Sequence, residues 1–330
     1  MLKEYRARIS ATYKNADTEE WIDIRFTRPI GYLWALFFKK LHVIPNVVTI
    51  LSIIIGIAAG WMFYYQDIYH NIAGVLLLMW ANFYDSADGQ LARMTGKKTR
   101  WGRMLDGFAG DLWFVAIYLA IVLRLWNEFI PFTHVHWKFL ILFLAIFSGV
   151  FCHAKQCQLA DYYRNVHMFF AFGKEDSELD SSRQQRVLLN TTPKKGNFWW
   201  RAFLYFYGNY THSQESLTPY LQDLMNVINN KRGGNIPEEF RLDFRKESKP
   251  MMKYANILTF NWRTITLYVY CLLNIPWLYI VIEIVVFTSL AYYLRERHEK
   301  LCRQMTMLLE KGYYDETPTL IYPVSPCATS

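Results

Sequence analysis

A chain of 330 residues is long enough for one large domain or two small ones, and its 53% hydrophobic and 18% aromatic content points to a membrane protein. The formal net charge of +8 would suit nucleic acid, but beside long apolar runs it is explained by basic loops facing anionic lipid, so nucleic-acid binding is set aside. Cys152, Cys157, Cys271, Cys302 and Cys327 include no C-x-x-C pair, which implies neither a disulfide framework nor a structural zinc site.

Residues 1–28 are polar and mixed in charge. Lys3, Glu4, Arg6 and Arg8 have no apolar run behind them, so this is no secretory signal, and the first membrane segment is expected to act as its own insertion signal. From Pro29 to Leu41 the chain is apolar and aromatic, too short to span, and carries Lys39 and Lys40 near its end. That suits a helix lying in the interface with its lysines reaching headgroups; packed core is the other reading. Pro45 then opens an apolar run to about Tyr65, enough to cross about 30 Å of hydrocarbon. Proline is tolerated in a first helical turn because its missing N–H would be unpaired there. Further spans are expected over about 71–93, 101–124, 137–163, 255–273 and 277–294.

Lysine and arginine in the short loops put the N-terminus, the link with Lys97, Lys98 and Arg100, and the C-terminus on one side. The expected fold is an all-α integral membrane protein. It comprises an N-terminal segment with an interfacial helix (1–44), transmembrane helices one to four (45–163), a cytoplasmic insertion (164–253), helices five and six (254–298) and a cytoplasmic tail (299–330). Six transmembrane helices leave both termini cytoplasmic, in a bacterial inner membrane or its equivalent. Arg124, near the outer edge, is expected to snorkel. Within the insertion the aromatic run Phe198–Tyr207 suits either the bilayer surface or the core of a small subdomain.

The second and third apolar segments carry acids where a merely structural membrane helix has no use for them: Asp85, Asp88, Asp106 and Asp111. An ionisable residue at membrane depth is costly and marks a functional-site hypothesis. On a helix Asp85 and Asp88, three apart, share a face. Gly89 lets a ligand approach the backbone, Ala92 keeps the next turn small, and Arg93 supplies a positive fork suited to phosphate. Carboxylates are hard ligands matched to Mg²⁺, Mn²⁺ or Ca²⁺. The other reading is a set of solvated helix-end charges paired with the nearby basic link.

The run Asp85-x2-Asp88-Gly89-x2-Ala92-Arg93-x8-Gly102-x3-Asp106 resembles the signature of the CDP-alcohol phosphatidyltransferase family, and less sharply so do the interfacial helix, the Pro45-Asn46 start and the six-helix plan. It does not extend to the insertion or the tail. The resemblance implies transfer from a CDP-linked lipid donor to a small alcohol acceptor, with release of CMP. It implies two divalent ions, Mg²⁺ or Mn²⁺, held by Asp85, Asp88, Asp106 and Asp111, and a nucleotide pocket shaped by Asp88, Gly89, Ala92, Arg93 and Gly102. Asp111 would also act as general base, and a homodimer is expected.

In the family the last aspartate falls four residues after the third, which here is Gly110, whereas the acid is Asp111. Residues five apart on a regular helix point about 140° away from each other. A one-residue π-bulge, flanked by Gly107 and Gly110, is therefore expected to bring Asp111 back to the metals. The core motif is shared by branches whose acceptor is glycerol phosphate or serine and by those that transfer a CDP-linked headgroup to a lipid alcohol. The run from Thr99 to Asp106 looks most like the phosphatidylinositol and phosphatidylinositol-phosphate synthase branch. An anionic acceptor of that kind needs cations in the bundle, for which His153, Lys155 and Arg263 are the candidates. A transporter would instead spread charges through the bilayer and show a repeat between halves, and neither is evident. A membrane scaffold would leave the acids without a task.

Overall fold

The computed structural model describes residues 17–97, 100–173 and 179–315, and the named elements there are helical. In chain order, after a short π-helical turn (Asp23–Thr27), they are α1 (Arg28–Lys40), α2 (Pro45–Met62), α3 (Ile68–Thr95), α4 (Arg100–Leu125), α5 (Lys138–Phe172), α6 (Ser182–Thr191), α7 (Phe198–Leu217), α8 (Pro219–Arg232), α9 (Glu238–Ile257), α10 (Phe260–Leu272) and α11 (Pro276–Glu310). The chain divides into two compact units. One holds the residues up to Gln156 with Asn256–Ser289, the other Cys157–Ala255 with the residues from Leu290 onward.

In the first unit local chemistry sets the helix ends. Extended Ile44 precedes Pro45, which occupies the first turn of α2. Asp67 caps α3 by accepting from the His70 N–H at 3.0 Å, and that bond holds the Asp67 carboxyl below the usual aspartate range. Gly96, at φ 66°, closes the same helix in the left-handed conformation.

Small residues let α2 lie close against α4. A Cβ on Gly56 would meet the Trp113 indole at 2.1 Å, and one on Gly60 would meet backbone of Ala116 and Ile117 at 3.0 Å. Between apolar helices in lipid, such close backbone approach takes the part that the hydrophobic effect plays in water. Helix α1 packs Ala35 and Phe38 against Ala87 and Leu91 of α3 while Leu33, Leu36 and Phe37 stay exposed, so one face is core and the other suits an interfacial position.

Among the described residues, four helices are long and apolar enough to cross a membrane: Pro45–Met62, Leu105–Leu125, Lys138–Phe172 and Pro276–Glu310. This makes the protein an integral membrane protein with candidate spans. Helix α3 has the length but carries the acidic stretch, and α10 has only 13 residues, about 20 Å at 1.5 Å per residue. The expected fifth span is interrupted, with α9 ending at Ile257 and α10 starting at Phe260.

Arg124 does not snorkel. It is 5% exposed and donates to the Phe63 carbonyl at 2.9 Å, to Asn71 Oδ1 at 3.0 Å and to Asn274 Oδ1 at 2.6 Å. Carbonyl and amide acceptors from two helix connections and the start of α3 replace water around the guanidinium, which removes the reason to reach for solvent.

In the second unit α6 to α9 pack with the later part of α5 and of α11. Rings of Phe170, Phe240 and Phe244 meet at 4.5 to 6.1 Å, forming an aromatic core. In the aromatic run of α7 Leu204 is buried, whereas Phe198, Trp199, Tyr205 and Phe206 are exposed.

Replacing Gly60 by leucine should force α2 off α4 and cost about 1–3 kcal/mol, as overpacking does. The expected outcome is a lower Tm in detergent, with Ala58→Leu on the exposed face unchanged; equal Tm values for both would refute this packing account.

Candidate metal and nucleotide site

Asp85 and Asp88 lie one turn apart on α3, and Asp106 comes from the start of α4. Carboxylate oxygens of the three lie within 4.8 Å of one another. At that distance each pair of charges repels by on the order of 3 kcal/mol at an effective dielectric of about 20. Oxygen donors held this close suit a hard divalent cation. Asp88 is 3% exposed, and its Oδ2 is buried with no hydrogen-bond partner among the described residues, while the Thr49 hydroxyl lies beside the same carboxylate. A buried carboxylate oxygen left without a donor is a ligand position in waiting, so the residues present fit the implied metal.

The turn after the acids presents donors that suit an anion. A Cβ on Gly89 would touch the Arg93 guanidinium at 3.6 Å, so the fork lies over the bare backbone of Gly89. Its Nε and Nη2 are buried with no hydrogen-bond partner among the described residues. Two planar donors beside a carboxylate cluster are placed for phosphate oxygens. Ala92 is half-buried on the same stretch, and Gly102 lies one turn before Asp106 in α4.

A further set of charges was not anticipated. Arg28, at the head of α1, lies in electrostatic range of Asp85 and Arg93 and pairs with Glu19 at 3.0 Å. The Asn261 amide donates to Glu20 at 2.7 Å and to Asp23 at 2.9 Å. Glu19 to Arg28, part of a stretch read as plain polar sequence, therefore lie beside the acidic cluster. Their only signal was the crowding of acids at Glu19, Glu20 and Asp23, which the family signature does not reach.

The bulge expected between Asp106 and Asp111 does not form. Helix α4 is regular from Arg100 to Leu125, so Asp111 is turned about 140° from Asp106 and is absent from the converging set. Its side chain instead lines a cavity of about 440 Å³ between α4 and α5, with Phe114, Tyr118, Gly149 and His153. Gly107 and Gly110 need no bulge: a Cβ at either position would meet nothing within 4 Å. The place of a fourth carboxylate one turn past Asp106 is open space.

π-helical stretches do occur elsewhere among the described residues: Asp23–Thr27 just before α1, Phe147–His153 in α5 and Glu283–Phe287 in α11. The last two come together in the apolar bundle. Their ends meet, with His153 Nδ1 at 3.0 Å from Glu283 Oε1 and at 3.1 Å from the Tyr118 hydroxyl. Arg263, 0% exposed, pairs with Glu283, and donates to Gln156 Oε1 at 3.0 Å and the Leu258 carbonyl at 2.9 Å. Ser148 and Tyr279 also donate to Glu283, at 2.7 and 3.2 Å. Two of the three residues expected to bind the acceptor are thus brought together, but around a buried glutamate that engages both. Lys155 is exposed. Glu283 could have been found as the lone acid inside an apolar segment, by the same reasoning that singled out the aspartates. Of the run suggesting the acceptor, Thr99 and the side chains of Arg100, Trp101 and Arg103 lie outside the described residues.

A search of protein families matches residues 42–160 to the CDP-alcohol phosphatidyltransferase model. The chain is also similar to the archaetidylinositol phosphate synthase of Pyrococcus horikoshii, 37% identical over 84 residues, which cover 26% of this chain and 43% of that protein. No solved structure matches the chain. The matched segment contains the three converging aspartates, Gly89 and Arg93, and over that segment the chain is similar to the CDP-alcohol phosphatidyltransferase family.

Proposed function

We propose that this protein transfers a phosphatidyl, or another substituted phosphate, group from a CDP-linked donor to an alcohol acceptor and releases CMP. The observation that carries this reading is the convergence of Asp85, Asp88 and Asp106 within 4.8 Å, next to an arginine fork with buried open donors. A divalent ion of the Mg²⁺ or Mn²⁺ class, bound by these three carboxylates, supplies charge neutralisation for the pyrophosphate. Arg93 holds a phosphate oxygen with its planar donors, and Gly89 lets the nucleotide approach the α3 backbone. Arg28 offsets the negative charge of the three acids when CMP departs. Asp111, facing the cavity with His153, is left to act on the acceptor side, where it can accept a hydrogen bond from the attacking hydroxyl.

The acceptor favoured by the run before Asp106, and by the name of the Pyrococcus relative, is inositol or inositol phosphate. The apolar cavity beside Asp111 favours a second reading, in which a lipid alcohol receives a headgroup carried by CDP. The six-span arrangement, with the acids on the cytoplasmic face, both termini inside and a cytoplasmic insertion, accords with the loop charges, and a homodimer is part of the same reading.

The deciding assay is CMP release from the purified protein in liposomes, with CDP-diacylglycerol and inositol phosphate in one arm and CDP-choline with diacylglycerol in the other. Metal-dependent CMP in either arm supports transfer; none with a broad acceptor panel overturns it. Chelator should abolish release and Mn²⁺ or Mg²⁺ restore it. Asp85→Asn, Asp88→Asn and Asp106→Asn should each lower the rate about 100-fold or more, as loss of a transition-state charge contact does; full activity in Asp106→Asn defeats the assignment. Gly110→Asp places a carboxylate in the open space one turn from Asp106. It should reduce the Mn²⁺ concentration needed for half-maximal rate, and an unchanged metal requirement would show that this face does not reach the metal.

A further inference from the structure

The second unit contains a buried cluster that the transfer reaction does not use. His298, Glu299 and Cys302 follow one another on α11 at positions i, i+1 and i+4, which puts the imidazole and the thiol on one face. They are 0, 4 and 0% exposed, and their ligand atoms lie within 4.8 Å of one another. Cys302 Sγ is 3.5 Å from His298 Nδ1. Tetrahedral zinc, with bonds of about 2.3 Å to sulfur and about 2.0 Å to nitrogen, sets two such ligands about 3.5 Å apart. Tyr163 of α5 stacks on the His298 ring at 4.0 Å and 20°. Its phenol lies in electrostatic range of Glu299 and Cys302.

Hydrogen bonding leaves the cluster incomplete. Glu299 Oε2 accepts from the backbone N–H of Tyr220 in the first turn of α8, at 2.8 Å. Its Oε1 is buried with no hydrogen-bond partner among the described residues, and so is the Tyr163 hydroxyl. Each such atom costs about 1–3 kcal/mol when left unsatisfied, and two in one cluster call for an occupant. Nitrogen, sulfur and oxygen donors together are the set that zinc takes and that Mg²⁺ and Ca²⁺ avoid.

We propose that the second unit carries a structural zinc site, with His298 Nδ1, Cys302 Sγ and Glu299 Oε1 as ligands and the Tyr163 hydroxyl closing the fourth position. Zinc binding displaces the thiol proton of Cys302 to solvent, so affinity falls as pH is lowered. Coordination through Nδ1 leaves the imidazole proton on Nε2, in a ring that has His167 within electrostatic range. The ion ties α5 and α11 together and, through Glu299, the start of α8.

The test uses the full chain in detergent, stripped with chelator and then titrated with Zn²⁺ or Co²⁺ at several pH values. One Zn²⁺ per chain by elemental analysis, a thiolate-to-Co²⁺ charge-transfer band in the near ultraviolet and a Tm raised by Zn²⁺ are expected. In Cys302→Ser the band and the Tm rise should vanish and Zn²⁺ affinity fall by more than about 100-fold, beyond what loss of an outer partner costs. Lys300→Ala, on the exposed side, should keep all three. Asp106→Asn should keep them too, which separates this ion from one at the aspartate cluster. A wild-type protein that retains no zinc, with water satisfying the buried atoms, overturns the proposal, as does an unchanged band in Cys302→Ser. Should that variant fail to fold, the wild-type Co²⁺ spectrum decides alone, and absence of the band refutes the site.

Discussion

Mutual repulsion among Asp85, Asp88 and Asp106 is the constraint around which the first unit is arranged. Two of the acids are locked one turn apart by α3, and the third arrives on a different helix, so the cluster persists only while α3 and α4 are held in place. The close approach of α2 to α4 at Gly56 and Gly60 and the packing of α1 on α3 through Ala35 and Ala87 supply that hold. Glycine and alanine matter here because dispersion contacts between apolar helices grow only when the backbones draw near. A divalent cation and a phosphate, the partners proposed for the carboxylates, would convert that repulsion into attraction.

Away from the cluster, the unit handles each buried charge by enclosing it. Glu283, Arg263, His153, Tyr118, Ser148 and Tyr279 satisfy one another inside apolar helices. Such a network contributes little net stability over an apolar replacement, but removing one member leaves a stranded charge. It forms where α5 and α11 both widen into π-helical turns, a distortion that often marks a functional position. Arg124 is treated the same way at another point, by carbonyl and amide oxygens. Neither arginine is spare for an anionic acceptor, which shifts attention to Arg28 and Arg93 beside the acids.

The acidic signature was legible because helical spacing is a local property. Three- and four-residue intervals place side chains on one face whatever surrounds the helix. The displaced Asp111 was legible as an anomaly, but its remedy was not. A π-bulge would have brought the acid round, yet α4 remains regular, because nothing in the packing at Gly107 or Gly110 forces an extra residue into the turn. Glu283 and the grouping of His298, Glu299 and Cys302 escaped for different reasons. The first was one acid in an apolar run whose partners lie more than a hundred residues away in part. The second lacks the C-x-x-C spacing and draws its fourth member from another helix.

The sequence by itself determined the helical, membrane-borne class, the location of the acidic stretch and its resemblance to CDP-alcohol phosphatidyltransferases, because hydropathy and helical periodicity are written in neighbouring residues. Tertiary structure alone decided which cations remain for a ligand, that Arg124 is caged rather than snorkelling, that Glu19, Glu20, Asp23 and Arg28 border the site, and that Asp111 faces a cavity instead of the other three aspartates. Those outcomes depend on which helices come together and at what rotation about their axes, and that is set by the summed packing of side chains far apart in the chain.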